Sequence, residues 1–120
     1  MPYIKSGDGR REALQQGEPA QNAGELNYQI FYYVKHNPPY GEDDSFTKHK
    51  IALFVTKFLG ATPNYQKYND MTGVLIRCYK EINRRLDIDL EDMFLEIMES
   101  YDEEINEYED TKIISNRDVE

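Results

Sequence analysis

A chain of 120 residues is of single-domain size, long enough to bury one modest core and too short for two independent ones. With 39% hydrophobic residues and fifteen aromatic rings, ten of them tyrosine, it has too much apolar mass for a disordered chain and is expected to be globular. The net charge of −9 is carried by the last third, where residues 87–120 hold fourteen acids against Lys112 and Arg117; that segment is −12 and residues 1–86 are +3, which argues against nucleic acid as a partner.

Met1 to Lys5 reads as an extended lead, and the Gly-rich polar stretch that follows to Asn22 reads as loop with one turn around Arg11 to Gln16. Residues 1–22 are therefore expected to form an extended or loop-like arm. From Gly24 the pattern becomes helical, with Leu26, Ile30, Tyr33 and Val34 on one face until Asn37-Pro38-Pro39 ends it. Ser45 offers an N-cap for a second helix with Ile51, Phe54, Val55, Phe58 and Leu59 inward, closed by Gly60. Asn64 is the expected cap of a longer third helix, in which Tyr68, Met71, Leu75, Cys78 and Ile82 recur at intervals of three and four. The second and third predicted helices should pack together. Asp87 or Asp89 is expected to cap a fourth, with Leu90, Phe94, Ile97, Tyr101, Ile105 and Tyr108 on its apolar face, Met93 and Met98 beside them, and acids opposite. Residues 111–120 lose periodicity and read as a C-terminal tail.

The fold class this predicts is all-α: one domain over residues 1–120, built as a small three- to four-helix bundle with an extended N-terminal arm. Cys78 has no partner in the chain and lies in an apolar stripe, where a thiol behaves as a small hydrophobe. No secretory leader pattern and no apolar run of membrane-spanning length is present in the sequence. A reducing cytoplasm is the expected setting, with no membrane partner. Apolar surface left on the third and fourth helices points to a homo-oligomer.

The usual nucleophile elbow, P-loop and dinucleotide fingerprints are absent from the sequence. His36 and His49 stand apart from other metal-ligating residue types at useful spacing, and no metal or cofactor is expected. A polar and aromatic set near helix starts and ends is more informative: Asn27, Tyr28, Asn64, Tyr65, Asn69, Asp70, Arg84 and Arg85. Amides and tyrosine hydroxyls can read a small polar ligand, tyrosine rings can stack on a base, and paired arginines can hold phosphate. The same residues admit an ordinary structural account, with Asn64 as a cap, the tyrosines as core rings and the arginines offsetting a helix dipole.

These blocks also carry a likeness. Met-Pro-Tyr-Ile at the start, Gly24-Glu25-Leu26-Asn27-Tyr28, Asn64-Tyr65 with Asn69-Asp70 and Gly73, Glu81 before Arg84-Arg85, and Tyr108-Glu109-Asp110 with Lys112 and Asn116 to Val119 together resemble a family of short uncharacterised phage and bacterial proteins, a domain of unknown function. Two departures stand out: residues 86–107 are inserted between the paired arginines and the Tyr-Glu-Asp block, and Arg117 stands where the family has glycine. The resemblance implies a phage or bacterial setting and no particular activity.

The expected function is that of a phage-type accessory protein acting by non-enzymatic binding, whose partner is either a small nucleotide-like signal of host defence or a host protein. A second reading is a magnesium-dependent nucleoside-phosphate hydrolase using Glu103, Glu104, Glu107 and Asp110, since hard cations take several carboxylates. A third is an acidic mimic of nucleic acid that occupies a basic host protein, following from the −12 segment.

Overall fold

The computed structural model of the chain describes residues 9–39, 45–61 and 63–101. Five helices follow one another: α1 (Arg10–Gln15), α2 (Ala23–His36), α3 (Ser45–Leu59), α4 (Tyr65–Leu86) and α5 (Glu91–Glu99), with no strand among the described residues. The all-α class expected from periodicity is therefore correct. The last four helices correspond to the four predicted ones. The fourth predicted face continues through Ile105 and Tyr108, which lie outside the described residues, as do residues 1–8 of the arm and the tail at 111–120.

Within the described part of the expected arm over residues 1–22, the turn expected around Arg11 to Gln16 is helix α1. Where loop with a single turn was expected, α1 forms a six-residue helix and sinks Leu14 completely into the core. Two carbonyls at its C-terminal end, where a helix leaves acceptors without intrahelical donors, are met from outside: the Gln29 amide nitrogen donates to Leu14 O in the last turn and to Glu18 O just beyond it, both at 2.8 Å. Burying one leucine and closing those carbonyls makes so short a helix stable, because isolated six-residue helices are not.

The termini follow their chemistry. Asn22 caps α2, its Oδ1 accepting from Glu25 N at 2.8 Å, and Asn64 caps α4 in the same way from Lys67 N. Gly60 takes φ +77° beyond α3, a conformation glycine adopts without steric cost. Asp87 does something different from the expected capping of the next helix. It ends α4 in the left-handed region at φ 58°, while Asp89 Oδ1 accepts from Glu91 N at the start of α5.

The core is one cluster. Leu26, Ile30 and Val34 of α2, Ile51 and Val55 of α3, Met71, Leu75, Cys78 and Ile82 of α4, and Phe94 of α5 are all fully buried. Burial of Cys78 pushes its thiol well above the ordinary thiol range, so it is neutral and inert as a nucleophile. The predicted packing of α3 on α4 occurs, but α4 makes its most extensive contact with α2. These two helices run in the same sense: the start of α2 lies beside the first half of α4, and Phe31 farther along lies under the Arg85 guanidinium, 5.2 Å from it. α5 is pinned to α3 by Lys48–Glu96 at 2.6 Å and by the Thr56 and Tyr101 hydroxyls at 2.8 Å. No helix among the described residues is long and apolar enough to cross a membrane.

Candidate functional site: a polar cleft between α2 and α4

Close packing of α2 on α4 opens at its upper end into a cleft of about 470 Å³. From α2 it is bordered by Ala23, Gly24 and Asn27, which share one helical face at i, i+1 and i+4; from α4 come Asn69, Asp70, Gly73 and Arg77 over buried Val74. The small residues are what keep it open. A Cβ built on Gly73 would meet nothing within 4 Å, and one on Gly24 would meet only Asn22 Oδ1 at 3.4 Å. Gly73 therefore does not serve close helix approach, although a glycine in a helix interior costs about 1 kcal/mol relative to alanine.

The cleft's polar groups are largely unengaged. Among the described residues, the side chains of Asn27, Asn69 and Arg77 have no hydrogen-bond or ion-pair partner. The Asn27 Oδ1 is itself shielded from solvent and has no donor, an arrangement that native structures avoid unless something else completes it. Asp70 accepts from Gln66 Nε2 at 2.8 Å through one oxygen. Two amides, that of Asn27 with its Oδ1 shielded, a carboxylate and a guanidinium thus line one opening, bringing donors, acceptors and both charges into one small volume.

The start of α2 is held in place by an ion pair across to α1. Arg10 donates Nε to Glu25 Oε2 at 2.8 Å and Nη2 to Glu25 Oε1 at 2.6 Å, and the same carboxylate accepts from Gln21 N at 2.9 Å. The Arg10 hydrogen bonds hold the Glu25 carboxyl below its ordinary range, outweighing the opposing effect of burial. Because Asn22 caps the helix two residues before Gly24, this clamp and cap together set where the cleft's α2 wall begins.

Of the residues singled out in the sequence, Asn27, Asn69 and Asp70 converge on the cleft, and Arg84 borders the adjoining groove that Arg77, Lys80 and Glu81 also line. The others lie elsewhere. Tyr28 faces α1, its hydroxyl accepting from Gln15 Nε2 at 2.8 Å and its ring lying under Arg11, and it stacks on Tyr32. Asn64 is engaged as the α4 cap, Tyr65 is 39% exposed on the first turn, and Arg85 lies over Phe31 and pairs with Glu81. No tyrosine among the described residues lines the cleft.

Sequence reasoning passed over Arg77, Lys80 and the role of Gly73. A signal for them exists: Asp70, Gly73, Arg77, Lys80 and Arg84 recur at three, four, three and four, the alternation of the core stripe displaced by two residues, which places them on the outward face of α4. The acids of the hydrolase reading, Glu103, Glu104, Glu107 and Asp110, lie outside the described residues, and among the described residues no three His, Cys, Asp or Glu side chains gather where they could hold a metal. On α5 the outward acids include Glu96, which Lys48 neutralises. Compared with models of known families, with curated proteins and with solved structures, the chain matches none.

Proposed function

We propose that this protein acts by non-enzymatic binding and takes a small nucleotide-like ligand in the α2–α4 cleft. The observation that carries this reading is the meeting of three unpartnered polar side chains, Asn27, Asn69 and Arg77, around a helix-interior glycine whose missing side chain leaves open space. The cleft is within the size range of small-molecule sites. Asparagine amides present a donor and an acceptor side by side, which matches the edge of a nucleobase, and a carboxylate such as Asp70 accepts from exocyclic amino groups. Arg77 supplies the cation for an anionic group at the rim.

Joined to the resemblance with phage and bacterial proteins, this reading casts the protein as a phage-type accessory factor that sequesters a nucleotide-like signal of host defence. Self-association belongs to the same proposal: Leu53, Ile76 and Leu95, on three different helices, are each more than a third exposed and provide apolar surface for a second copy.

Native mass spectrometry of the protein purified from expressing cells tests both parts, reading subunit count and any retained ligand mass. Calorimetric titration with nucleosides and nucleoside monophosphates then tests the site. Asn27→Ala and Asn69→Ala should each weaken binding about tenfold, the loss of one good hydrogen-bonding group. Gly73→Ala separates site from fold: it should raise stability by about 1 kcal/mol while abolishing binding. Binding unchanged in all three variants, or no nucleoside or nucleotide bound at all, overturns the proposal.

A further inference from the structure

Below the cleft, α4 carries a second depression of about 390 Å³ lined by Arg77, Lys80, Glu81 and Arg84. Arg77 borders both openings. We infer that the two form one elongated site, and that the ligand bears several linked phosphates, its polar head in the cleft and its phosphate chain running along Arg77, Lys80 and Arg84. This rests on the cleft being the ligand's site.

Position and charge both favour the assignment. Arg77, Lys80 and Arg84 follow one another at i, i+3 and i+7 and span about 10 Å of helix axis, too long for one carboxylate or monophosphate to engage all three. Arg77 and Lys80 have no anionic partner among the described residues, so on a chain of net charge −9 two cations stand side by side without neutralisation. Like charges three apart on a helix repel one another, and an anion laid along them relieves that repulsion. Among the described residues Glu81 is the one carboxylate lining the groove, and it is largely covered: its side chain is 12% exposed, and one oxygen accepts from Arg84 and Arg85 at 3.3 Å each. It acts as a positioning residue, holding the Arg84 guanidinium at the far end of the groove. The arrangement is graded from uncharged hydrogen-bonding groups at Asn27 and Asn69 to consecutive cations, matching a nucleoside carrying a di- or triphosphate.

The test is calorimetric titration of the intact protein with ribonucleosides, their mono- and triphosphates, and inorganic tripolyphosphate, at low and high salt. Triphosphates should bind at least about tenfold more tightly than monophosphates, and the difference should shrink as salt screens the groove. Lys80→Ala should lower triphosphate affinity about tenfold and leave monophosphate affinity unchanged, with the circular dichroism spectrum confirming a native fold. Equal affinity for mono- and triphosphates, with no effect of Lys80→Ala, overturns this inference while leaving the cleft reading intact. Tripolyphosphate bound as tightly as the nucleotides, with Asn27→Ala without effect, would mean a free-polyphosphate groove and overturns the single elongated site. Absence of all binding removes both readings.

Discussion

The Arg10 guanidinium grips Glu25 through two nitrogens, and the carboxylate is nearly closed off from solvent. Because its folded pKa is depressed, the stabilisation it contributes is fully present above the unfolded glutamate value of about 4.3 and is lost as pH falls through the lower folded value. Glu25→Gln should thus cost about 2 kcal/mol near neutral pH, and the gap between variant and parent in urea melts should close below about pH 4. A gap constant from pH 7 to pH 3 would contradict this. The pair could not be read from sequence: its members are fifteen residues apart, and Arg10 fell in a stretch whose glycines suggested loop. Gln29, which closes the α1 carbonyls, was hidden for the same reason, since a buried glutamine inside an apolar helix face looks like an interruption until the neighbouring helix is known.

At the scale of elements, caps decide where helices begin, and the Asn64 cap of α4 was legible in the sequence. Asn64→Ala removes the acceptor for Lys67 N and should cost about 1 kcal/mol by thermal melting. Asp87 makes the opposite case. A left-handed conformation is unfavourable for a non-glycine residue, and a negative charge at a helix C-terminus opposes the dipole, so Asp87→Gly should raise stability by about 1 kcal/mol. No change, or a loss, would show that its carboxylate has a compensating role. The sequence offered Asp87 or Asp89 as a helix start because aspartate favours N-caps; that residue chemistry is shared by turns of both kinds, and only the backbone angle distinguishes them. Helix α1 was read only as a single turn because six residues give too little periodicity, whereas the longer helices showed their buried faces plainly.

For the molecule as a whole, α4 is the shared wall, touching α2, α3 and α5. Leu75 is fully buried within it, and Leu75→Ala should cost about 3 kcal/mol. Since one core cluster links all five helices, far-ultraviolet circular dichroism and tyrosine fluorescence should report the same denaturation midpoint in parent and variant. Separate midpoints would divide the core. Three of the candidate site residues chosen from sequence meet in the cleft because helix faces are predictable, but the cleft itself was not, for it exists only where the start of α2 crosses the first half of α4. The parallel sense of two helices separated by a third is a property of topology, and no local pattern in Asn27 or Asn69 announces it.

Cys78 sits on the inward face of that same helix, behind the cleft. Being the sole thiol in the chain, it turns the protein into its own clock: a neutral alkylating reagent can modify it only during moments when α4 comes away from its neighbours. Labelling speed then measures how often the core breathes, and any molecule that locks α2 onto α4 will announce itself by slowing that clock, with no radiolabel or dye attached and whatever its chemical class.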